Sequence, residues 1–117
     1  MIGIGVDLVE VERMRTALAR TPTLVDRLFT ADEQAYAQAA RDPAERFSVR
    51  FAAKEAAMKA MGVGLGAVDW HDIEVAKTTA GAPELRVTGR ALERAVDAGI
   101  TRWLVTLSHT PSMAEAV

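Results

Sequence analysis

Cysteine is absent from the 117-residue chain. This absence excludes disulfide bonds, thiolate metal sites and a cysteine nucleophile, and it leaves the redox compartment open. Any metal site in this protein must therefore use oxygen or imidazole ligands.

Long apolar runs and an excess of positive charge are also missing. No run approaches the roughly 20 residues that cross a bilayer, and the N-terminus MIGIGVDLVE has acidic residues where a secretion signal has basic ones. The 14 basic and 16 acidic residues give a net charge of −2, without the general positive field expected of a nucleic-acid-binding domain. We therefore predict a cytoplasmic protein with no membrane or nucleic-acid partner, although a local basic patch is compatible with this composition.

The order of patterns predicts one α+β domain over residues 1–117, with a largely antiparallel sheet and one long buried helix. The first segment alternates apolar residues with small or polar ones, as a strand with one apolar face does. Its apolar positions are Ile2, Ile4, Val6 and Leu8, and they alternate with Gly3, Gly5 and Asp7. Asp7 is therefore expected near the strand end, opposite the apolar face.

Helices and strands follow in clusters. Helical patterns occupy MRTALAR, TPTLVDRLF, TADEQAYAQAA and GRALERAVDAG, and Thr30 with Glu33 forms a capping-box signature. Strand-like segments are DIEVAK, ELRVT, ITRWLVTLSH and MAEAV, with a turn composition between the first two. The clustered order favours an antiparallel sheet over a doubly wound parallel one.

The longest predicted helix begins after Asp42-Pro43 and ends at Gly62. Its sequence, AERFSVRFAAKEAAMKAMG, is apolar on two sides, so we expect it to be covered on both. Glu55 and Lys59 lie one turn apart on it, and the plainest interpretation is an ordinary surface ion pair.

A second carboxylate would turn that pair into a metal site. Asp7 is the candidate, because glycines at positions 3 and 5 would let a helix approach its strand closely, although a lone aspartate at a strand end is more often a cap. Magnesium prefers one or two carboxylates together with water and phosphate oxygens, so Asp7 and Glu55 would suit a magnesium–diphosphate site.

The ordered segments GIGVDLVEVERM, RFAAKEAAMKAMGVGLG, DIEV and LSHT resemble the signatures of holo-acyl-carrier-protein synthases. The resemblance extends over nearly the whole chain, and its most specific part is the combination of the first two segments. It implies the 4'-phosphopantetheinyl transferase fold and a homotrimer with active sites between subunits. The reaction that it implies moves 4'-phosphopantetheine from coenzyme A to a serine of an apo acyl carrier protein and releases adenosine 3',5'-bisphosphate.

The resemblance also implies residue roles. Asp7 and Glu55 match the family's magnesium ligands, and Lys59 matches the lysine that neutralises or protonates the leaving phosphate. The serine proton would pass to Glu55 through water or to a metal-held water. Arg50 and Lys54 match positions near the coenzyme A phosphates, with solvent-facing helix charges as the alternative.

Two further sets come from the same comparison. Ser108 and His109 match a segment that borders the coenzyme, and Arg13 matches an arginine expected to bind the acidic carrier protein. Arg20 is a less direct carrier-binding candidate, because acidic residues interrupt this arginine-rich region.

The chain departs from the family at Trp103, where a histidine is common, and at Ala82, where a lysine is common. If these departures mark lost activity, the chain is a catalytically inactive module that binds coenzyme A or a carrier protein in a fatty-acid or polyketide system. A second alternative is a nucleotide or diphosphate hydrolase that uses the same magnesium pair. The Met1 start suggests an independent enzyme, with a domain of a larger synthase as the alternative.

Overall fold

A computed structural model describes residues 3–117 and shows an α+β architecture. The helices are Val11–Arg20 (α1), Leu24–Leu28 (α2), Ala31–Gln38 (α3), Pro43–Met61 (α4) and Gly89–Asp97 (α5). The strands are Asp7–Glu10 (β1), Ile73–Lys77 (β2), Pro83–Val87 (β3), Leu107–His109 (β4) and Met113–Ala116 (β5), and a 3-10 turn at Trp70–Asp72 precedes β2. No helix within residues 3–117 has the length and apolar character needed to span a bilayer.

All the strand pairs in the described residues are antiparallel, which confirms the predicted sheet type. One sheet has the order β1-β5-β4, and β2 pairs with β3 in a hairpin. Ala116 of β5 lies between Asp7 of β1 and Leu107 of β4. The two ends of the chain are therefore joined in one sheet.

Helix α4 is the centre of the fold. Pro43 occupies its first turn, and Gly62 ends it in the left-handed conformation with φ of 71°, as predicted. On one side Phe47 packs against Phe29, with ring centroids 4.7 Å apart. On the other side Ala53 and its small neighbours pack against the two sheets. The prediction that both sides are covered is confirmed.

The N-terminal segment differs from its prediction. The hydrogen-bonded strand begins only at Asp7, and Ile2 lies outside the described residues. The apolar side is exposed, with Ile4 at 70 %, Val6 at 51 % and Leu8 at 60 %. The side that faces α4 carries the glycines, because a Cβ at Gly3 or Gly5 would overlap a carbonyl oxygen of the helix. The expected close approach of helix and strand is thus confirmed, and the buried Asp7 lies on the side opposite the exposed apolar residues, as expected.

The segment ITRWLVTLSH was expected to be one strand, and only its last three residues form β4. Thr106 extends the ladder by exchanging two 3.0 Å backbone hydrogen bonds with Val117. Leu104, in the unpaired part, is 77 % exposed. β-Rich composition identified the segment, but a ladder needs a neighbouring strand, and β5 is too short to supply one along the whole segment.

Candidate active site

Three predicted site residues meet where β1 begins beside α4. The Lys59 Nζ atom donates to Asp7 Oδ1 at 2.9 Å and to the Val6 carbonyl oxygen at 3.1 Å. The Asp7 side chain is 9 % exposed, whereas that of Lys59 is 56 % exposed. The Asp7 end of this ion pair is therefore buried, and the Lys59 end is exposed to solvent.

Glu55 completes this group, one helical turn before Lys59. Burial raises the pKa of the Glu55 carboxyl, and the nearby charge of Asp7 raises it further. Contact with Asp7 raises the pKa of the Lys59 ammonium. The second carboxylate oxygen of Asp7, Oδ2, is buried and accepts no hydrogen bond from any described residue. Two neighbouring carboxylates thus share one exposed ammonium, which favours binding of a further cation.

These residues suit a magnesium ion with few protein ligands better than a metal ion whose ligands all come from the protein. No group of three or more histidine or acidic side chains able to hold a metal exists within residues 3–117. Magnesium needs only one or two protein carboxylates when water and phosphate oxygens complete its shell. Asp7 and Glu55 would supply those carboxylates, and the unpartnered Oδ2 atom is the observation that supports the assignment.

Lys54, which was predicted to bind the coenzyme, is not at this site, and its burial argues against that role. Its side chain is 0 % exposed and lies 2.8 Å from Glu33 Oε1. The same ammonium donates to the carbonyl oxygens of Trp70 at 2.9 Å and Ile73 at 2.6 Å. Its three donors are therefore used inside the protein, on the side of α4 that faces β2.

Arg50 lines a cavity of about 300 Å³, with Tyr36, Arg46, Lys77 and His109 among its walls. The Arg50 Cζ atom lies 4.1 Å from the centroid of the Tyr36 ring. Its Nε atom is buried, and no described residue accepts a hydrogen bond from it. Burial lowers the pKa of the guanidinium, which nevertheless stays charged because arginine is so basic. The cavity is a candidate anion site.

His109 and Ser108, which were predicted together, are separated by the alternation of β4. His109 lines the Arg50 cavity, and its Nδ1 atom lies 3.3 Å from Glu45 Oε1. Ser108 pairs with Glu115, and successive side chains on a strand point to opposite faces. The Ser108 side chain therefore points away from this cavity, and of the two residues predicted to border the coenzyme only His109 lines it.

The chain matches known proteins over most or all of its length. The family model described as "4'-phosphopantetheinyl transferase superfamily" matches residues 3–108. The chain belongs to this superfamily. It is 44 % identical over 117 residues to a holo-[acyl-carrier-protein] synthase of Streptomyces avermitilis, with 100 % of this chain and 94 % of the relative covered. A relative with the same name from Moorella thermoacetica is 40 % identical, with 100 % and 91 % covered.

The fold agrees with a solved structure of the same kind. A Helicobacter pylori holo-[acyl-carrier-protein] synthase in complex with coenzyme A superimposes with a TM-score of 0.84 and 25 % identity, over 97 % of this chain and 95 % of that one. The resemblance predicted from the sequence motifs is thereby confirmed at the level of the family.

In this member of the superfamily, the predicted carrier-binding arginines lie on α1. Arg13 and Arg20 are exposed and seven residues apart, which puts them on one side of the helix. Neither forms an ion pair with another described residue, whereas Arg15 between them is held by Glu12 and Asp42 at 3.0 and 2.7 Å. Two unpaired guanidiniums thus remain available on one surface.

Several residues that line the Arg50 cavity or contact Lys54 were not predicted from the sequence. Arg46 could have been found, because it precedes Arg50 by one helical turn. Tyr36 and Lys77 come from α3 and β2, and no spacing rule connects them to α4. Glu33 was recognised only as part of a helix cap, although it also binds Lys54.

Proposed function

We propose that this protein transfers 4'-phosphopantetheine from coenzyme A to the serine of an apo acyl carrier protein, with magnesium held by Asp7 and Glu55. The observation that carries the proposal is the pair of close carboxylates with a buried unpartnered oxygen and an adjacent exposed lysine. The matched relatives and the coenzyme-bound neighbour support the choice of reaction and substrate.

The reaction balances as a phosphoryl-centred substitution. The serine oxygen forms a bond to the phosphorus that bears pantetheine, and the bond from that phosphorus to the bridging oxygen breaks. The departing group is adenosine 3',5'-bisphosphate, which takes the negative charge of the broken bond. Lys59 would neutralise that charge or supply a proton from Nζ. The bound metal would stabilise charge on the diphosphate oxygens.

The serine proton needs an acceptor on the carboxylate side of the site. Glu55 has a raised pKa and is only partly buried, so its carboxylate could receive the proton through one water. Asp7 is held by Lys59 and is less accessible. We therefore assign the acceptor role to Glu55 and the anchoring of the metal to both carboxylates.

The Arg50 cavity would bind the other end of the coenzyme. The 3'-phosphate of coenzyme A is a monoester that carries close to two negative charges, and a cavity lined by Arg50, Arg46 and Lys77 offers matching positive charge. His109 would add a donor at the rim. This assignment replaces Lys54 and the Ser108 side chain in the predicted coenzyme-binding set.

The positions of the two parts of the proposed coenzyme site, the carboxylates Asp7 and Glu55 and the Arg50 cavity, support an active site between subunits. Arg50 and Glu55 are five residues apart on α4, so their side chains leave the helix about 140° apart. A coenzyme bound by one copy at its diphosphate is then more easily reached at its 3'-phosphate by a neighbouring copy. The exposed apolar surface of Ile4, Val6 and Leu8 is available to form such an interface. We propose the homotrimer of the family as this assembly.

The test is to incubate the protein with coenzyme A, magnesium and an apo acyl carrier protein, and to weigh the carrier by intact mass spectrometry. We expect a gain of one phosphopantetheine per carrier. Asp7→Asn and Glu55→Gln should lower the rate by about 100- to 1,000-fold, because each removes a carboxylate that would hold the metal and Glu55→Gln also removes the proton acceptor. Glu93→Gln, an exposed carboxylate on α5, is the matched control and should keep the wild-type rate.

Each contrary outcome has a distinct meaning. No mass gain with several carriers would leave a catalytically inactive binding module as the function. Release of coenzyme fragments without any carrier would indicate a hydrolase. Equal activity with and without magnesium would contradict the metal assignment while leaving the transfer itself in place.

A further inference from the structure

Tyr36 is surrounded by three positive charges from two elements, α4 and β2. The Cζ atoms of Arg46 and Arg50, both on α4, lie 4.0 and 4.1 Å from the centroid of its ring. The Nζ atom of Lys77, at the end of β2, lies 5.1 Å from the same centroid. The Nη1 atom of Arg46 also donates to the backbone carbonyl of Tyr36 at 2.7 Å. One aromatic ring therefore gathers three cations.

These cations lack the carboxylates that usually accompany such a cluster. Among the ion pairs of residues 3–117, none involves Arg46, Arg50 or Lys77. The Arg50 Nε atom, on a residue that is 4 % exposed, has no acceptor. Three like charges repel one another, and the face of a tyrosine ring offsets only part of that repulsion. The three cations are thus held together around the tyrosine ring without a carboxylate to neutralise them.

The phenol group responds to the same surroundings. Partial burial acts to raise the pKa of Tyr36, but contact with Lys77 and the charges of Arg46 and Arg50 outweigh it and lower that pKa. The ring and its hydroxyl oxygen both face positive charge. Tyr36 is therefore placed to hold the cations rather than to occupy the anion position itself.

We propose that Tyr36 is a positioning residue that fixes Arg46, Arg50 and Lys77 as one preformed anion site, and that it thereby selects coenzyme A over its 3'-dephospho form. The inference rests on the proposed function, since it assumes that the 3'-phosphate enters this cavity. Arginine and lysine side chains lose conformational freedom when they bind. A ring that already orders these side chains removes part of that entropic cost. The resulting gain in binding free energy applies only to a ligand that has the 3'-phosphate.

The effect should be seen in binding and not in the chemical step. Among the described residues, no hydrogen bond or ion pair joins this cavity to Asp7 or Lys59, and the 3'-phosphate remains on the leaving group throughout the reaction. Tyr36→Leu should raise the KM for coenzyme A about tenfold with kcat within about twofold, the signature of lost uniform binding. The KM for 3'-dephospho-coenzyme A should stay the same.

The experiment measures KM and kcat for coenzyme A and for 3'-dephospho-coenzyme A with the wild-type protein, Tyr36→Leu and Tyr36→Phe. Tyr36→Phe keeps the ring and loses the hydroxyl, so it should retain most of the discrimination through its stacked guanidiniums. Phe51→Leu is the matched control, because it removes the ring that stacks on Trp70 at 5.1 Å from the same helix. That control should change the two KM values by the same factor.

A second measurement does not depend on turnover. Calorimetric titration with adenosine 3',5'-bisphosphate and with adenosine 5'-monophosphate should show tighter binding of the bisphosphate by the wild type, and Tyr36→Leu should lose about tenfold of that preference. An equal loss for both nucleotides, or no loss, would overturn the role of Tyr36. Absence of carrier modification by the wild type, with the bisphosphate preference intact, would instead contradict the proposed function.

Discussion

Helix α4 carries two lysines, Lys54 and Lys59, and each meets a carboxylate from another element. Lys54 pairs with Glu33 at 2.8 Å with both side chains 0 % exposed, whereas Lys59 pairs with Asp7 at 2.9 Å and is 56 % exposed. The distances are nearly the same, but the surroundings differ. In the first pair the hydrogen-bonding capacity of both partners is used, and in the second it is not.

The saturation of the first pair explains why it can be buried. Glu33 Oε1 accepts from the Thr30 amide at 2.9 Å, and Oε2 accepts from the Val75 amide at 2.9 Å. Lys54 gives its remaining donors to two backbone carbonyls. Burial lowers the pKa of Lys54, although Glu33 opposes that effect. A buried ion pair persists only with such additional hydrogen bonds, so this pair joins α3, α4 and β2.

The Asp7–Lys59 pair is incomplete by the same measure. Asp7 Oδ2 lacks a donor among the described residues, and Glu55 adds a second carboxylate beside it. An incomplete cluster at an open position is what a site for a metal and a diphosphate requires. The comparison teaches that a lysine–carboxylate distance does not distinguish structure from function, whereas the hydrogen bonds left unmade do.

The largest effect should come from breaking the closed pair. Lys54→Met leaves Glu33 buried without its counter-charge, so we expect the free energy of unfolding to fall by about 3–5 kcal/mol. Denaturant titration followed by circular dichroism measures this loss. The surviving folded fraction should keep the wild-type KM for coenzyme A, because Lys54 has no route to the ligand.

A double substitution tests that explanation. Glu33→Gln combined with Lys54→Met removes both charges, and it should cost less than the sum of the two single changes. Strict additivity would show that the two residues act independently. A raised KM for coenzyme A in folded Lys54→Met would restore the original prediction that this lysine binds the coenzyme.

The open pair should behave in the opposite way. Lys59→Met removes the group that meets charge on the leaving phosphate, so we expect kcat for carrier modification to fall by about 10- to 100-fold. The thermal midpoint should hardly change, because exposed ion pairs contribute little to stability. Lys59→Arg, which keeps the charge, should recover part of the rate. A large loss of stability with an unchanged kcat would give Lys59 the structural role instead.

Most of the fold followed from local sequence signals. The capping box at Thr30, the proline start of α4 and the glycine at its end are short-range rules, and all three are found. The outward apolar face of Ile4, Val6 and Leu8 was not predictable in this way. Alternation reveals that a strand has an apolar face, but not whether its own subunit covers that face.

The site residues show the same difference between local sequence signals and contacts that are distant in sequence. Asp7, Glu55 and Lys59 were predicted together because two motifs in the right order point to them, and the structure brings the three side chains close to one another. The motif could not show that Lys54, one residue before Glu55, turns into the core, since Glu33 and the carbonyls of Trp70 and Ile73 are distant in sequence. Tyr36 was missed for the same reason, because its cations come from α4 and β2.

The smallest predicted effect can be read directly, because Tyr36 is the sole tyrosine of the chain. A pH titration of near-ultraviolet absorbance reports formation of its phenolate, and we expect a midpoint below the ordinary value of 10.0. The sign follows from the cations, which favour the charged phenolate in the folded state. Stability relative to Tyr36→Phe should therefore increase as the pH rises through the folded pKa and level off above the unfolded one.

The same titration connects the tyrosine to the ligand. Adenosine 3',5'-bisphosphate should raise the Tyr36 midpoint, because a phosphate dianion among Arg46, Arg50 and Lys77 repels the phenolate and neutralises the cations that favour it. Adenosine 5'-monophosphate, which lacks the 3'-phosphate, should shift it less. Identical midpoints with and without the bisphosphate, at a concentration that calorimetry shows to be saturating, would mean that the 3'-phosphate binds elsewhere. In that case the open carboxylate cluster would remain the sole supported half of the coenzyme site.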